Sequence, residues 1–249
     1  TGIATSGAYQ VTKRGSLNSS SNAFVASFTN SGVRRWATYY GGKDGERGSF
    51  GTDLTVSNSG NVLITGLATA SDAIATAGTH QLSNAGNSDA FIASFSNTGV
   101  RQWGTYFGGG LNDHSTGIST DKNGNVYITG VTASTGGIVP TGSSVHQSSL
   151  KGSDDAFVAK FTSTGTLVWS TYYGGDTEDY GNDIEVDATG AVLIVGSTNS
   201  TNFIASSTAY QPTYGGAGGC GQSCIGQWSS GALDFGNYGV GDIFLAKFS

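Results

Sequence analysis

The chain has 249 residues, 41 of them glycine, with two prolines, two cysteines and no methionine. No Gly-X-Y period runs through it, which excludes collagen, and charged residues are only 11% against roughly 25% in an ordinary domain. Low charge together with 11% aromatics excludes a disordered chain. The net charge of −6, with basic residues scattered and Arg34-Arg35 the densest pair, excludes a phosphate-neutralising nucleic-acid surface. No apolar run approaches the ~20 residues of a membrane helix.

In chain order the first predicted strand is Asn22–Phe28, NAFVASF, whose alternating pattern is that of a strand. It returns as Asp89–Phe95, Asp155–Phe161 and Asp242–Phe248. A second strand follows the first three: Trp36–Gly42, Trp103–Gly109 and Trp169–Gly175, the last reading WSTYYGG. The third strand type is Asp53–Val56, Gly117–Thr120 and Asp183–Val186; the fourth is Asn61–Gly66, Asn125–Gly130 and Ala191–Gly196. Asn30-Ser-Gly32 and Asn123-Gly124 are examples of the turns between them, and such residues supply the positive φ of tight hairpins. No helical stripe occurs anywhere.

Self-similarity at a long period signals a repeat architecture. Each unit reads as a four-stranded antiparallel meander, followed by a loop of about twenty residues that is expected to cross to the next unit. The units fall at 22–88, 89–154 and 155–241, with the start of a further unit at 242–249 and an insert at 212–240. Thirteen strands, three units plus one strand, make an all-β propeller segment, because propeller blades are four-stranded sheets and closed rings typically have four to eight. A β-solenoid is the alternative, with a shorter usual period. The whole of 1–249 is expected to be one such segment of a larger propeller or repeat array. The absence of an initiator Met, and an end right after a first-type strand, point to an excerpt.

The pattern DAFVAKF, WSTYYGG, an acidic loop, DIEVD and GAVLIVG resembles the bacterial SBBP beta-propeller repeat family, over most of residues 8–249 outside the insert. The resemblance implies the propeller fold and a secreted or cell-surface protein of the kind found in Bacteroidetes-like bacteria. It implies no activity.

Residues able to carry chemistry fall partly at repeat positions and partly outside them. His80 and His146 alternate with Tyr9 and Tyr210 at one repeat position, which reads as packing; His114 lies in an acidic loop. No Ser/His/Asp set stands outside the repeat, so the chain is expected not to be an enzyme. Asp176, Glu178, Asp179 and Asp183 concentrate acids in one Gly-containing loop. Such a loop is a candidate for Ca²⁺, which takes 6–8 oxygens, and equally for a solvated loop whose acids cap backbone groups. Trp36, Trp103 and Trp169 recur and read as blade core. Trp228 does not recur; with Tyr214, Phe235 and Tyr238 it forms a candidate ligand-binding surface, or a loop folded over its own blade. Cys220 and Cys224 read as a small disulfide ring in an oxidising compartment, or as two free thiols.

The sequence therefore leads to the expectation of a structural or adhesive module of an exported bacterial protein, part of an appendage or filament. Its partners would be further repeats or other subunits, with no nucleic acid and no membrane span. The alternatives are a lectin-like propeller binding a glycan through the Trp228 insert, and a propeller-borne hydrolase or lyase.

Overall fold

The computed structural model describes residues 2–15, 21–43, 48–215 and 242–248. Among them it holds thirteen strands and no helix: β1 (Ala23–Phe28), β2 (Arg34–Tyr40), β3 (Ser49–Val56), β4 (Val62–Ala68), β5 (Asp89–Phe95), β6 (Arg101–Phe107), β7 (Asp113–Thr120), β8 (Val126–Thr132), β9 (Asp155–Phe161), β10 (Leu167–Tyr173), β11 (Asp179–Val186), β12 (Val192–Thr198) and β13 (Asp242–Phe248). All ladders are antiparallel, and glycines at positive φ (Gly32, Gly60, Gly99, Gly124, Gly165, Gly190) close the short hairpins as their turn chemistry requires.

The strands form four separate sheets: β1-β2, β3-β4-β5-β6, β7-β8-β9-β10 and β11-β12-β13. Two are complete four-stranded meanders, as propeller blades should be. Their phase differs from the sequence reading. The twenty-residue loop does not cross between blades; it joins β4 to β5 and β8 to β9, which are hydrogen-bonded neighbours in one sheet. The crossing is instead the short Gly-Gly segment after the second strand type, for example between Phe107 and Asp113. Asn-Gly turns reveal which strands are joined tightly, but a long loop is silent about whether its two ends stay in one sheet.

Strands β3, β7 and β11 lie side by side at the inner edges, and β2, β6 and β10 form outer edges. The inner strands are tied across blades by Thr52 Oγ1 to the Ser115 carbonyl at 2.7 Å, the Ile118 amide to Asp53 Oδ2 at 2.9 Å, and Ser119 Oγ to Glu185 Oε2 at 3.0 Å. Each inner strand carries a bulge, at Gly51–Asp53, Ser115–Gly117 and Gly181–Asp183, which adds twist.

The hydrophobic core lies between sheets. Phe91, Ala93 and Phe95 of β5 pack back on Ala23, Val25, Trp36 and Tyr40, while Ala90 and Ile92 of the same strand pack forward on Ile118, Ile128 and Phe157. A strand buried on both faces reads as continuously apolar, which accounts for the low charge. The small alanine between two phenylalanines lets neighbouring sheets approach.

Candidate functional site

The chemistry-bearing side chains gather at the blade junctions. Gln81 and Asp89 anchor the loop before β5: Gln81 Nε2 donates to Asp89 Oδ2 (2.5 Å) and to the Ser83 carbonyl (2.9 Å), and the Ala85 amide donates to Asp89 Oδ2 (2.9 Å). Gln147 and Asp155 repeat this before β9, at 2.6 Å, with the Lys151 and Gly152 amides added at 3.0 Å each. Gln10 with Asn22, and Gln211 with Asp242, make the same bond at both ends of the chain, at 2.8 Å in each case. The glutamine ties loop backbone to the aspartate or asparagine that opens the strand motif, a partnership the strand pattern alone does not disclose.

A second buried carboxylate faces the first across two of the junctions. Asp113, on β7, accepts from Thr132 Oγ1, the Gly109 amide (2.7 Å) and Ser134 Oγ (2.9 Å). Asp179, on β11, accepts from the Gly175 amide and Ser200 Oγ, both at 2.7 Å. All four aspartates are fully buried. A β-carbon on Gly108 would lie 2.7 Å from Asp113 Oδ2 and 2.8 Å from Asp89 Oδ1, and Gly174 stands in the same relation to Asp155 and Asp179. At these two junctions the first glycine of the Gly-Gly pair is therefore a place where two carboxylates fill the space of a side chain. Oδ1 of Asp89 and Oδ1 of Asp179 have no hydrogen-bond partner.

Burial pushes Asp89 up to about 6, and the Asp113 charge adds to it against the loop amides. Burial raises Asp113, Asp155 and Asp179 as well. At the first junction the two positions hold Asn22 and Ser49, so both acids are replaced together.

The tryptophans are clamps between blades. Trp36 Nε1 donates to the Asn97 carbonyl (2.9 Å) and Trp103 Nε1 to the Ser163 carbonyl (2.8 Å), each a hairpin turn of the next blade. Their rings lie against the turn glycines Gly99 and Gly165, where a β-carbon would come within 2.7 Å of the indole. Trp169 sits half-buried against Tyr127. Trp103→Ala is expected to cost about 3–5 kcal/mol of stability and Trp103→Phe about 1 kcal/mol, the lost N–H bond, by denaturant titration.

The histidines pack as aromatics. His80 lies between Phe107 and Phe161, and His146 stacks on Tyr173 with Phe248 at its edge. Burial lowers both pKa values, which keeps the rings neutral near pH 7. His114 Nε2 lies 2.8 Å from Ser88 Oγ.

The acidic loop disperses. Asp176 accepts from Thr201 (amide 3.1 Å, Oγ1 3.3 Å), Glu178 from Asn199 Nδ2 (3.3 Å), Asp179 faces its junction, and Asp183 accepts the Ile184 amide (2.8 Å) at an exposed position of the inner strand β11. Among the described residues no three His, Cys, Asp or Glu side chains come together to hold a metal ion. The four acids are drawn to separate partners and do not converge on one point, so EDTA is expected to leave the melting temperature unchanged. A chelator-induced drop that calcium reverses would overturn this.

Tyr214 borders a cleft of about 780 Å³ beside β13, with His146, Tyr173 and Tyr210. Trp228, Phe235, Tyr238, Cys220 and Cys224 lie outside the described residues.

The repeat is now defined by what each position touches: a Trp clamp, a Gly-Gly crossing under two carboxylates, a bulged inner strand and a Gly-containing fourth strand. Residues 102–137 match the SBBP beta-propeller repeat. The chain resembles the SBBP family. The matched stretch runs from β6 through the Gly-Gly crossing to the loop after β8, so the SBBP repeat as matched straddles two blades. No curated protein matches the chain.

Proposed function

We propose that this beta-propeller repeat module is a non-catalytic scaffold of an exported bacterial protein, structural or adhesive at the cell surface or outside the cell. The supporting observation is the fate of its reactive-type side chains. The recurring Asp, Gln, Trp and His residues are engaged in holding loop to blade and blade to blade, with the same partners in successive repeats. Residues spent on packing at a fixed period are poor material for a single reaction centre, whereas they suit a rigid frame that presents loops. Further repeats of the same chain or other subunits of an extracellular assembly are the proposed partners.

The experiment is protease shaving of intact source cells, probed with antibody to this chain. Loss of the signal from whole cells supports the surface role; protection until lysis removes it. A glycan array on the same protein separates an adhesive from a purely structural module, with binding that disappears in Tyr214→Ala marking the cleft as the contact surface.

A further inference from the structure

We propose that the cleft between the two complete blades, on the side of their hairpin turns, binds a sugar acid, free or as a uronate unit of an acidic glycan, through Asn61, Ser94, Lys122 and Asn123.

The cleft has a volume of about 340 Å³, within the range of small-ligand pockets. Ser57, Asn61, Leu63 and Ser94 of the β3-β4-β5-β6 sheet line one side of it, and Lys122 and Asn123 of the turn from β7 to β8 line the other. Both sheets have all four strands, so the cleft belongs to an interior junction.

The repeat shows what later blades put in this place. Leu63 lies opposite Ser94 in its ladder, as Tyr127 lies opposite Lys160 and Leu193 opposite Lys247. The turn that starts at Ser57 starts at Asp121 in the second blade and at Asp187 in the third. Asp187 Oδ2 is paired with Lys247 Nζ at 3.0 Å. Asp121 Oδ2 accepts from Asn125 Nδ2 (2.7 Å) and from the Tyr127 hydroxyl (3.2 Å), and Lys160 Nζ stands 5.0 Å from the centre of the Tyr127 ring. Both later blades therefore carry a carboxylate and a lysine here. In the β3–β6 blade serine replaces both together, at 57 and 94. Against the β7–β10 blade, leucine also replaces tyrosine, and three shorter side chains make the cleft.

Its lining defines the ligand. Ser57 has one side-chain oxygen where aspartate has two, and that oxygen is bonded to Ser59 Oγ (2.9 Å) and to the Asn61 amide (3.2 Å). Asn61 is the equivalent of Asn125, whose Nδ2 donates to Asp121 Oδ2, but the turn 57–61 holds no carboxylate for it. A ligand carboxylate supplies that acceptor. Lys122 on the facing turn brings the opposite charge, and no acid lines the cleft to repel an anion. The equivalents of Lys122 are Asn58 and Ala188, so this cation is particular to this junction. Asn58, Asn123 and the Ser94 hydroxyl offer donors and acceptors together, which suits ring hydroxyls, and Leu63 gives an apolar wall for ring C–H groups. A bare carboxylate would fill one corner of the cleft, and a neutral sugar would leave Lys122 unused. The site is built from residues that break the repeat, apart from the Tyr214 cleft; a chain that binds no sugar acid keeps its scaffold role, and a chain found inside the cell keeps the cleft.

The test is amide-shift NMR of the whole chain titrated with D-galacturonate, D-galactose and acetate, and with trigalacturonate. Galacturonate is expected to shift the Gly60 and Gly124 amides saturably, with galactose and acetate binding several-fold more weakly. Tighter binding of trigalacturonate than of the monomer assigns the site to a glycan unit, and tighter binding of the monomer assigns it to a free sugar acid. Lys122→Ala, on an exposed turn, should weaken binding several-fold. Ser57→Asp combined with Ser94→Lys, which rebuilds the pair of the later blades, should abolish it at an undiminished melting temperature; if that variant fails to fold, Lys122→Ala decides. No saturable shift, equal binding of galactose or acetate, or binding untouched by Lys122→Ala would each overturn the site.

Discussion

Asp89→Asn is expected to raise stability at pH 7 by about 1–2 kcal/mol, several degrees in melting temperature, and to flatten its pH dependence between about 4 and 6. Asp89 is buried beside Asp113, and its folded pKa of about 6 lies above the ordinary 3.8. The folded state therefore binds the proton more tightly than the unfolded chain does. Stability is gained as pH falls through 6, is fully present below 3.8, and is lost again as pH rises. Asp113, Asp155 and Asp179 are raised in the same direction, so the four aspartates together favour the fold on mild acidification, while His80 and His146, whose pKa values burial lowers, work against it. Below the ordinary carboxylate range the sign reverses at Asp187 and Asp121. Their pKa values are lowered by hydrogen bonds to the charged form, for Asp187 from Thr189 and Lys247, and their contribution fades as they protonate. The molecule itself already contains the neutral version. Asn22 accepts from Gln10 Nε2 (2.8 Å) and the Arg14 amide (2.7 Å) through Oδ1, and donates from Nδ2 to the Ser21 carbonyl (2.8 Å). Asp89→Ala, by contrast, strands the Gln81 and Ala85 donors and should cost about 1–3 kcal/mol. Urea titrations of the three proteins from pH 4 to 8 make the comparison. An asparagine variant no more stable than wild type at pH 7, with the same slope against pH, would remove the desolvated carboxylate as the cause.

Gly130→Ala is expected to cost about 4 kcal/mol or to prevent folding, while Gly136→Ala should lie within about 0.5 kcal/mol of wild type. Gly130 stands in the middle of β8, opposite the bulge of β7, and a β-carbon there would sit 1.9 Å from the His114 carbonyl oxygen. That oxygen belongs to backbone, which cannot turn aside as a side chain would. Gly66 meets Phe50 O and Gly196 meets Tyr180 O in the same way, so the bulge and the glycine are a matched pair in every blade. Around Gly136 nothing lies within 4 Å. Thermal melts of the two alanine variants give the contrast directly, and equal losses would sink the steric account.

Much of this was legible in the residues. The Phe-x-Ala-x-Phe strands, the Trp-x-Thr-Tyr strands and the Asn-Gly or Ser-Gly turns led to thirteen strands in repeating meanders, because side-chain alternation and positive φ are local properties. The phase of the blades was not legible, since nothing in residues 69–88 says that their ends pair in one sheet. Nor was the meeting of Asp89 with Asp113, whose partnership exists only once two sheets are stacked. Gly108 read as the end of the strand Trp103–Gly109 and proves to be the floor beneath two carboxylates. The acids at 176–183 are close in sequence, but strand alternation and the bulge send them to separate partners. Trp228 and its neighbours fall outside the described residues.

The phase of the blades also determines where this frame can be lengthened. A short Gly-Gly crossing is the link from one sheet to the next, so an addition there would alter the spacing of everything beyond it. The loop from β4 to β5, and its counterparts, begin and end within a single sheet. Extra residues there change the length of an excursion and leave the sheet spacing alone, and doubling such a loop costs only about 0.6 kcal/mol in closure entropy. The chain has used this freedom once: Thr198 and Asp242 bracket its longest connection, between two strands, β12 and β13, that remain paired in register. For anyone wishing to graft a peptide epitope, the exposed Thr141-Gly142 turn of the counterpart between Thr132 and Asp155 is the corresponding cassette position, away from the buried Ser134, Ile138 and Gln147 that tie this loop to the stack.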